Sequence, residues 1–159
     1  WSSVEVLHPG IGVGNRGQWF DATPMLHRRR SLAAAALGEG ALLSGGCCGH
    51  PGHEGAADQS SARSAEIVDL SIGTGRTLPA MTVQRVSHAA AVLNGKVYIS
   101  GGHLPGVVHP LTSVEVYDPV VNTWSELASS PMPCPRTDHT VVACSGRLLV
   151  LGGFRQTPP

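Results

Sequence analysis

The sequence predicts an all-β protein built from a repeat of about fifty residues, with four short strands to each unit. Three observations carry that prediction. A glycine pair recurs at Gly45-Gly46, Gly101-Gly102 and Gly152-Gly153, at spacings of 56 and 51 residues. Sliding the chain by those spacings aligns 25–46 (MLHRRRSLAAAALGEGALLSGG), 81–102 (MTVQRVSHAAAVLNGKVYISGG) and 132–153 (MPCPRTDHTVVACSGRLLVLGG) without a gap. Met25, Met81 and Met132 then coincide, as do Arg29, Arg85 and Arg136. Finally, 20 glycines and 12 prolines in short clusters suit many strands joined by tight turns. Self-similarity at a fixed period near fifty marks a repeat architecture, in which each unit buries its faces against its neighbours.

Taken in order, residues 3–9 (SVEVLHP) read as a short alternating strand, followed by a connection rich in glycine (Gly10, Gly12, Gly14, Gly17) and a second strand around Trp19-Phe20. The next unit opens on Ala33-Ala34-Ala35-Ala36-Leu37, whose intrinsic preference is helical. Its aligned copy Thr140-Val141-Val142-Ala143-Cys144 is β-branched, and Gly38 and Gly40 leave too little length for a helix, so a strand is expected. Small residues suit an innermost strand, where neighbouring units crowd a central channel. The strands that follow, including Val97-Tyr98-Ile99 and Leu148-Leu149-Val150-Leu151, are apolar without alternation, the pattern of strands buried on both faces. Each ends at a glycine pair, where a side chain would obstruct close backbone approach. The third strand of a unit recurs as Ala65-Glu66-Ile67-Val68-Asp69-Leu70 and Ser113-Val114-Glu115-Val116-Tyr117-Asp118-Pro119. Asp118-Pro119 starts a turn that Asn122 can close in the left-handed conformation, and Trp124 begins the fourth strand. The unit at 25–80 has no tryptophan there, only Gly75-Arg76-Thr77-Leu78.

Four strands per unit fit the blade of a β-propeller. The expected organisation is the outer half of a blade at 1–24, a degenerate blade at 25–80, a full blade at 81–131 and the inner half of a further blade at 132–159. About two complete blades flanked by two halves fall below the usual four to eight, so a propeller fragment is expected. Open strand edges on such a fragment predict ready aggregation or unfolding when it is expressed alone.

An arginine, a small-residue strand, Asn94-Gly95, the Val97-Tyr98-Ile99 strand, Gly101-Gly102, then Val114 to Pro119 and Trp124 resemble the kelch repeat in order and spacing. SVEVYDPVVNTWSEL followed by PMPCPR is closest in wording to the BTB–kelch adaptors. That resemblance implies a noncatalytic protein-interaction propeller recruiting a partner protein or peptide degron, as substrate adaptor of a cullin-type ubiquitin ligase. The alternatives it leaves are an actin-associated cytoskeletal scaffold and a kelch-fold metallo-oxidase.

Charge and composition narrow the classes further. With 11 basic and 11 acidic residues, the formal net charge is zero, which argues against a nucleic-acid or anionic-membrane partner engaged through bulk charge. Apolar runs of about five or six residues fall far short of the roughly 20 that a membrane helix needs. No basic-then-apolar leader opens the chain, and the cysteines (Cys47, Cys48, Cys134, Cys144) suggest no disulfide framework, so a reducing cytoplasmic setting is expected.

The resemblance implies that Ser31, Ser87 and Asp138, two residues after the repeated arginines, face the central cleft and contact a partner. Arg29, Arg85 and Arg136 have two readings: partner contacts at the rim, or structural groups holding carbonyls or a carboxylate at a blade junction. His88 and His139 are expected to cap or pack the inner strands. Glu5, Glu66 and Glu115 recur with the blade, which makes them structural instead of a paired acid and base. Cys47, Cys48, His50 and His53 are weak candidates for a metal, because their spacing matches no closed four-ligand motif. Tyr98 and Tyr117 sit at packing positions, and Gly12 to Gly17 has no helix after it to make an anion site. No catalytic set converges, and no cofactor is expected.

Overall fold

The structure, a computed structural model, describes residues 2–9, 17–47, 59–107 and 109–155. Among the described residues it is all-β apart from one short 3-10 helix at Gln59–Arg63. Strands β1 (Glu5–His8) and β2 (Gln18–Asp21) form an antiparallel pair with Leu7 opposite Trp19. β3 (Ala33–Leu37), β4 (Gly40–Ser44), β5 (Ala65–Asp69) and β6 (Thr74–Leu78) form a four-stranded antiparallel sheet in chain order. β7 (Ala89–Leu93), β8 (Lys96–Ser100), β9 (Val114–Asp118) and β10 (Thr123–Glu126) repeat it. A short β11 (Arg136–Thr137) pairs with β14 (Phe154–Arg155), enclosing the pair β12 (Thr140–Cys144) and β13 (Arg147–Leu151). These are two complete propeller blades flanked by two half blades.

The alanine run is strand β3, paired with β4 along its whole length. Tertiary contact overrides helix propensity here, because alternation lets Ala33 and Ala35 pack while Ala34 and Ala36 face solvent. Asn94 and Gly95, at φ of 50° and 74°, form the two-residue left-handed turn that joins β7 to β8. Asn122, at φ 55°, closes the hairpin between β9 and β10, and its Oδ1 accepts a 2.8 Å hydrogen bond from the Tyr117 hydroxyl.

The core lies between blades. Ala35, Leu42, Ile67 and Leu78 of the first complete blade pack with Met81, Val97, Ile99 and Tyr117 of the second. Ala89 and Ala91 of the second meet Val141 of the half blade, with Leu148 and Val150 alongside. Each such buried Leu, Ile or Val contributes about 1.5–3 kcal/mol relative to an exposed one. One strand departs from the sequence reading. β8 is sequestered as expected, with Val97 and Ile99 fully buried, but β13 alternates between half-buried and exposed residues. Among the described residues no third strand pairs with β13, so Leu149 and Leu151 remain 40% and 50% exposed.

Candidate functional site: the mouth of the inner strands

Inner strands β3, β7 and β12 lie side by side, one from each successive unit. The approach to each follows one local plan. A repeated arginine comes first, and the next residue bridges to the residue after the glycine pair: Arg30 to Cys47, Val86 to His103, Thr137 to Phe154. The residue after that reverses the chain in the left-handed conformation: Ser31 at φ 54°, Ser87 at 54° and Asp138 at 55°. These are the three positions the sequence singled out for the cleft, and the structure brings them together. Ser87 N donates to Ser31 O at 2.9 Å, and Asp138 N donates to Ser87 O at 2.9 Å. Ser31 and Asp138 are exposed and Ser87 is half-buried. Thr137, which sequence reasoning did not single out, also joins this row: its hydroxyl lies 3.3 Å from Ser87 O and 3.2 Å from Asp138 Oδ2.

The repeated arginines lie behind the mouth, not on it. Arg29 and Arg85 are buried, with Nη2 of each 3.0 Å from Glu66 and Glu115 respectively. Arg29 also donates to Gly45 O and Ser64 Oγ, and Arg85 makes the equivalent bonds to Gly101 O and Ser113 Oγ. Glu66 accepts a further bond from Leu26 N, and Glu115 from Thr82 N. Burial pulls the Arg85 guanidinium below its ordinary range, and the charge of Glu115 opposes that shift. The groups that Arg29 and Arg85 hold, a carboxylate, a carbonyl and a serine hydroxyl, all belong to the arginine's own blade and not to a blade junction. Arg136 is half-buried and donates to Gly152 O at 2.8 Å.

The histidines join one blade to the next. His88 Nε2 is 2.8 Å from Ser44 Oγ, and His139 Nε2 is 3.0 Å from Ser100 Oγ. Burial first, then the charge of Arg85, pushes His88 down to about 3, and burial also lowers His139. Each ring therefore packs as a neutral imidazole near neutral pH. In the first two pairs the leading glycine makes room for it: a Cβ on Gly45 would lie 2.4 Å from Arg85 O and 2.6 Å from His88 Cε1. Gly101 stands in the same relation to Arg136 O and His139.

Chemically, the mouth offers two hydroxyls and a carboxylate at fixed spacing, able to hydrogen-bond a polar or basic group on a partner. Among the described residues, no group of three His, Cys, Asp or Glu side chains could hold a metal ion. Cys47 is half-buried and free; Cys48, His50 and His53 lie outside the described residues. No described helix is long and apolar enough to cross a membrane.

Comparison with known proteins places this geometry. The family model described as Kelch motif matches residues 84–131. F-box/kelch-repeat protein At1g67480 of Arabidopsis thaliana is 36% identical over 165 aligned positions, covering 96% of this chain and 41% of that protein. Kelch-like protein 35 of Homo sapiens is 40% identical over 72, covering 45% and 12%. Beta-scruin of Limulus polyphemus is 31% identical over 156, covering 98% and 16%. Among solved structures, that of YjhT superposes with a TM-score of 0.68 at 20% identity, over 82% of this chain and 36% of that one. The chain thus spans well under half the length of each of these relatives.

Proposed function

From the premise that this chain belongs to the kelch-repeat family, we propose that it is part of a noncatalytic propeller that holds a partner protein or peptide at the mouth formed by Ser31, Ser87 and Asp138. We divide its units at residues 25, 81 and 132. One observation carries the reading. All three positions have φ near 55°, where glycine is the least strained residue, yet the chain puts polar side chains there. Unlike Asn94 and Asn122, which take the same φ inside hairpin turns, these three are bonded to one another across successive units, and side chains kept at such strained positions mark functional sites. The fold uses the backbone of these residues, through the Ser87 N–Ser31 O and Asp138 N–Ser87 O bonds.

The resemblance of SVEVYDPVVNTWSEL to BTB–kelch adaptors extends the proposal to substrate recruitment for a cullin-type ubiquitin ligase in the cytoplasm. The test is a pull-down with the whole chain and a variant carrying Ser31→Gly, Ser87→Gly and Asp138→Gly. Glycine relaxes the left-handed turns, so the variant should lose no more than about 1 kcal/mol of stability per site relative to the parent. The expected result is that a partner protein retained by the parent is lost by the variant. Equal retention by both would sink the mouth as the binding site. Co-sedimentation with actin filaments, without recovery of a cullin, would replace the adaptor reading with the scaffold one.

A further inference from the structure

The basic run Arg28-Arg29-Arg30 ends at Ser31, and the structure treats its three arginines differently. Arg29 is buried in its ion pair with Glu66, whereas Arg28, Arg30 and Ser31 are exposed. Arg30 is tied down through its backbone, by paired bonds with Cys47 at 2.9 and 3.0 Å, and its side chain stays at the surface. Among the described residues, no carboxylate lies within ion-pair distance of Arg28 or Arg30.

The other units lack these flanks. Gln84-Arg85-Val86 precede Ser87 and Pro135-Arg136-Thr137 precede Asp138, so the middle arginine alone recurs. That arginine is the one each blade uses for its own carbonyl, as Arg29, Arg85 and Arg136 do with Gly45, Gly101 and Gly152. Arg28 and Arg30 owe nothing to that plan. The serine position itself is reachable within the row: Ser87, hydrogen-bonded to a neighbouring unit on each side, is half-buried and not closed off. Asp138 shows that the row accommodates an anion. It has the same left-handed backbone, φ 55° against 54° at Ser31, and its Oδ2 lies 3.2 Å from the Thr137 hydroxyl.

A serine hydroxyl that follows exposed arginines at the third and first residues before it carries the charge pattern by which arginine-directed protein kinases choose substrates. We propose that Ser31 is a phosphorylation site, its kinase reading Arg28 and Arg30 through an acidic groove. In the transfer, Ser31 Oγ bonds to the γ-phosphorus of ATP as the bond from that phosphorus to its bridging oxygen breaks. ADP leaves with the electron pair, and the hydroxyl proton passes to the catalytic carboxylate of the kinase. The product adds about −1.5 to −2 charge and strong acceptor oxygens beside two exposed guanidinium groups, which gain charge-assisted hydrogen bonds with it. The mouth then changes from two hydroxyls and a carboxylate to anions at 31 and 138 with the Ser87 hydroxyl between them. The effect on a bound partner rests on the mouth being the binding site; the phosphorylation site does not.

The test incubates the folded whole chain with ATP and a protein kinase selective for arginine three residues before serine, then maps the phosphate by mass spectrometry. The expected result is phosphate on Ser31 and none on Ser87, which shares its backbone conformation but not its flanking arginines. Arg28→Gln should slow the labelling about tenfold or more. Ser31→Gly, which keeps the left-handed turn, should abolish it, and thermal melts should show both variant chains folded. Phosphate on an isolated peptide of residues 24–35 but not on the folded chain would overturn the site, as would equal labelling of Ser31 and Ser87 or a rate indifferent to Arg28. Comparing the phosphorylated and unmodified chains in the pull-down separates the two readings. Altered retention of the partner supports both, whereas unaltered retention with Ser31 fully phosphorylated overturns the mouth as the binding site and leaves the phosphorylation site standing.

Discussion

Arg85, in the segment that leads into β7, lies 3.0 Å from Glu115 on β9, and neither side chain is exposed. Their remaining hydrogen-bonding capacity is used locally: Arg85 donates to Gly101 O and Ser113, while Glu115 accepts from Thr82 N and Val83 N. One pair thus ties the segment entering the inner strand, the glycine turn and the third strand of the same blade. Breaking a buried pair from one side leaves an uncompensated charge and costs about 3–5 kcal/mol. Glu115→Gln should lower stability by that order in urea unfolding. The exposed Glu126→Gln should stay within about 0.5 kcal/mol of the parent. Equal, small effects at both positions would contradict a structural role for the pair.

The blade plan was legible because its causes are local and periodic. Gly45 and Gly101 are demanded by the backbone of the next unit, so they recur in register and can be read without coordinates. Glu66 and Glu115 recur because each pairs with the arginine of its own blade. What lay hidden depends on through-space neighbours. Nothing in the local sequence announces that His88 reaches Ser44, 44 residues earlier, or that Ser113 completes the contacts of Arg85. The serines two places before Glu66 and Glu115 were an available signal, since they repeat as faithfully as the glutamates. The exposure of β13 was misjudged because an apolar strand has the same composition whether or not a third strand covers it.

Two glycines should separate close approach from backbone conformation. Gly95 and Gly101 have φ of 74° and 59°, so an alanine at either is strained by about 1–2 kcal/mol. A Cβ on Gly95 meets nothing within 4 Å, whereas one on Gly101 would lie 2.4 Å from Arg136 O. Forcing that contact apart adds about 1–3 kcal/mol. Gly101→Ala should therefore be the more destabilising of the two by that margin in chemical denaturation. Equal losses would mean that the junction yields without cost.

Acid should loosen the blade junction through His88. Its folded-state value near 3 lies below the ordinary 6.5, so the unfolded chain binds more protons between those limits. Stability rises with pH wherever the unfolded state is the more protonated. His88 therefore leaves stability intact above about pH 6.5 and erodes it as pH falls from there toward 3. His88→Gln, which keeps a polar group within reach of Ser44, removes that titration. The difference in urea midpoint between parent and variant should shift in favour of the variant with each step from pH 7 to pH 4. A difference constant across that range would show that His88 titrates normally in the folded state.

The mouth residues should show opposite effects on stability and on binding. Ser87 sits at φ 54° with its N and O both committed to neighbouring units, so any replacement must keep that backbone. Glycine adopts it freely, whereas a β-branched residue is strained there by about 1–3 kcal/mol. Ser87→Gly should melt within a few degrees of the parent or above it, while Ser87→Val should melt clearly lower. If the hydroxyl serves a partner, the more stable variant is nevertheless the one that fails to bind, the expected trade between stability and a strained functional position. Loss of stability in Ser87→Gly would instead assign the hydroxyl to the fold and remove it from the cleft.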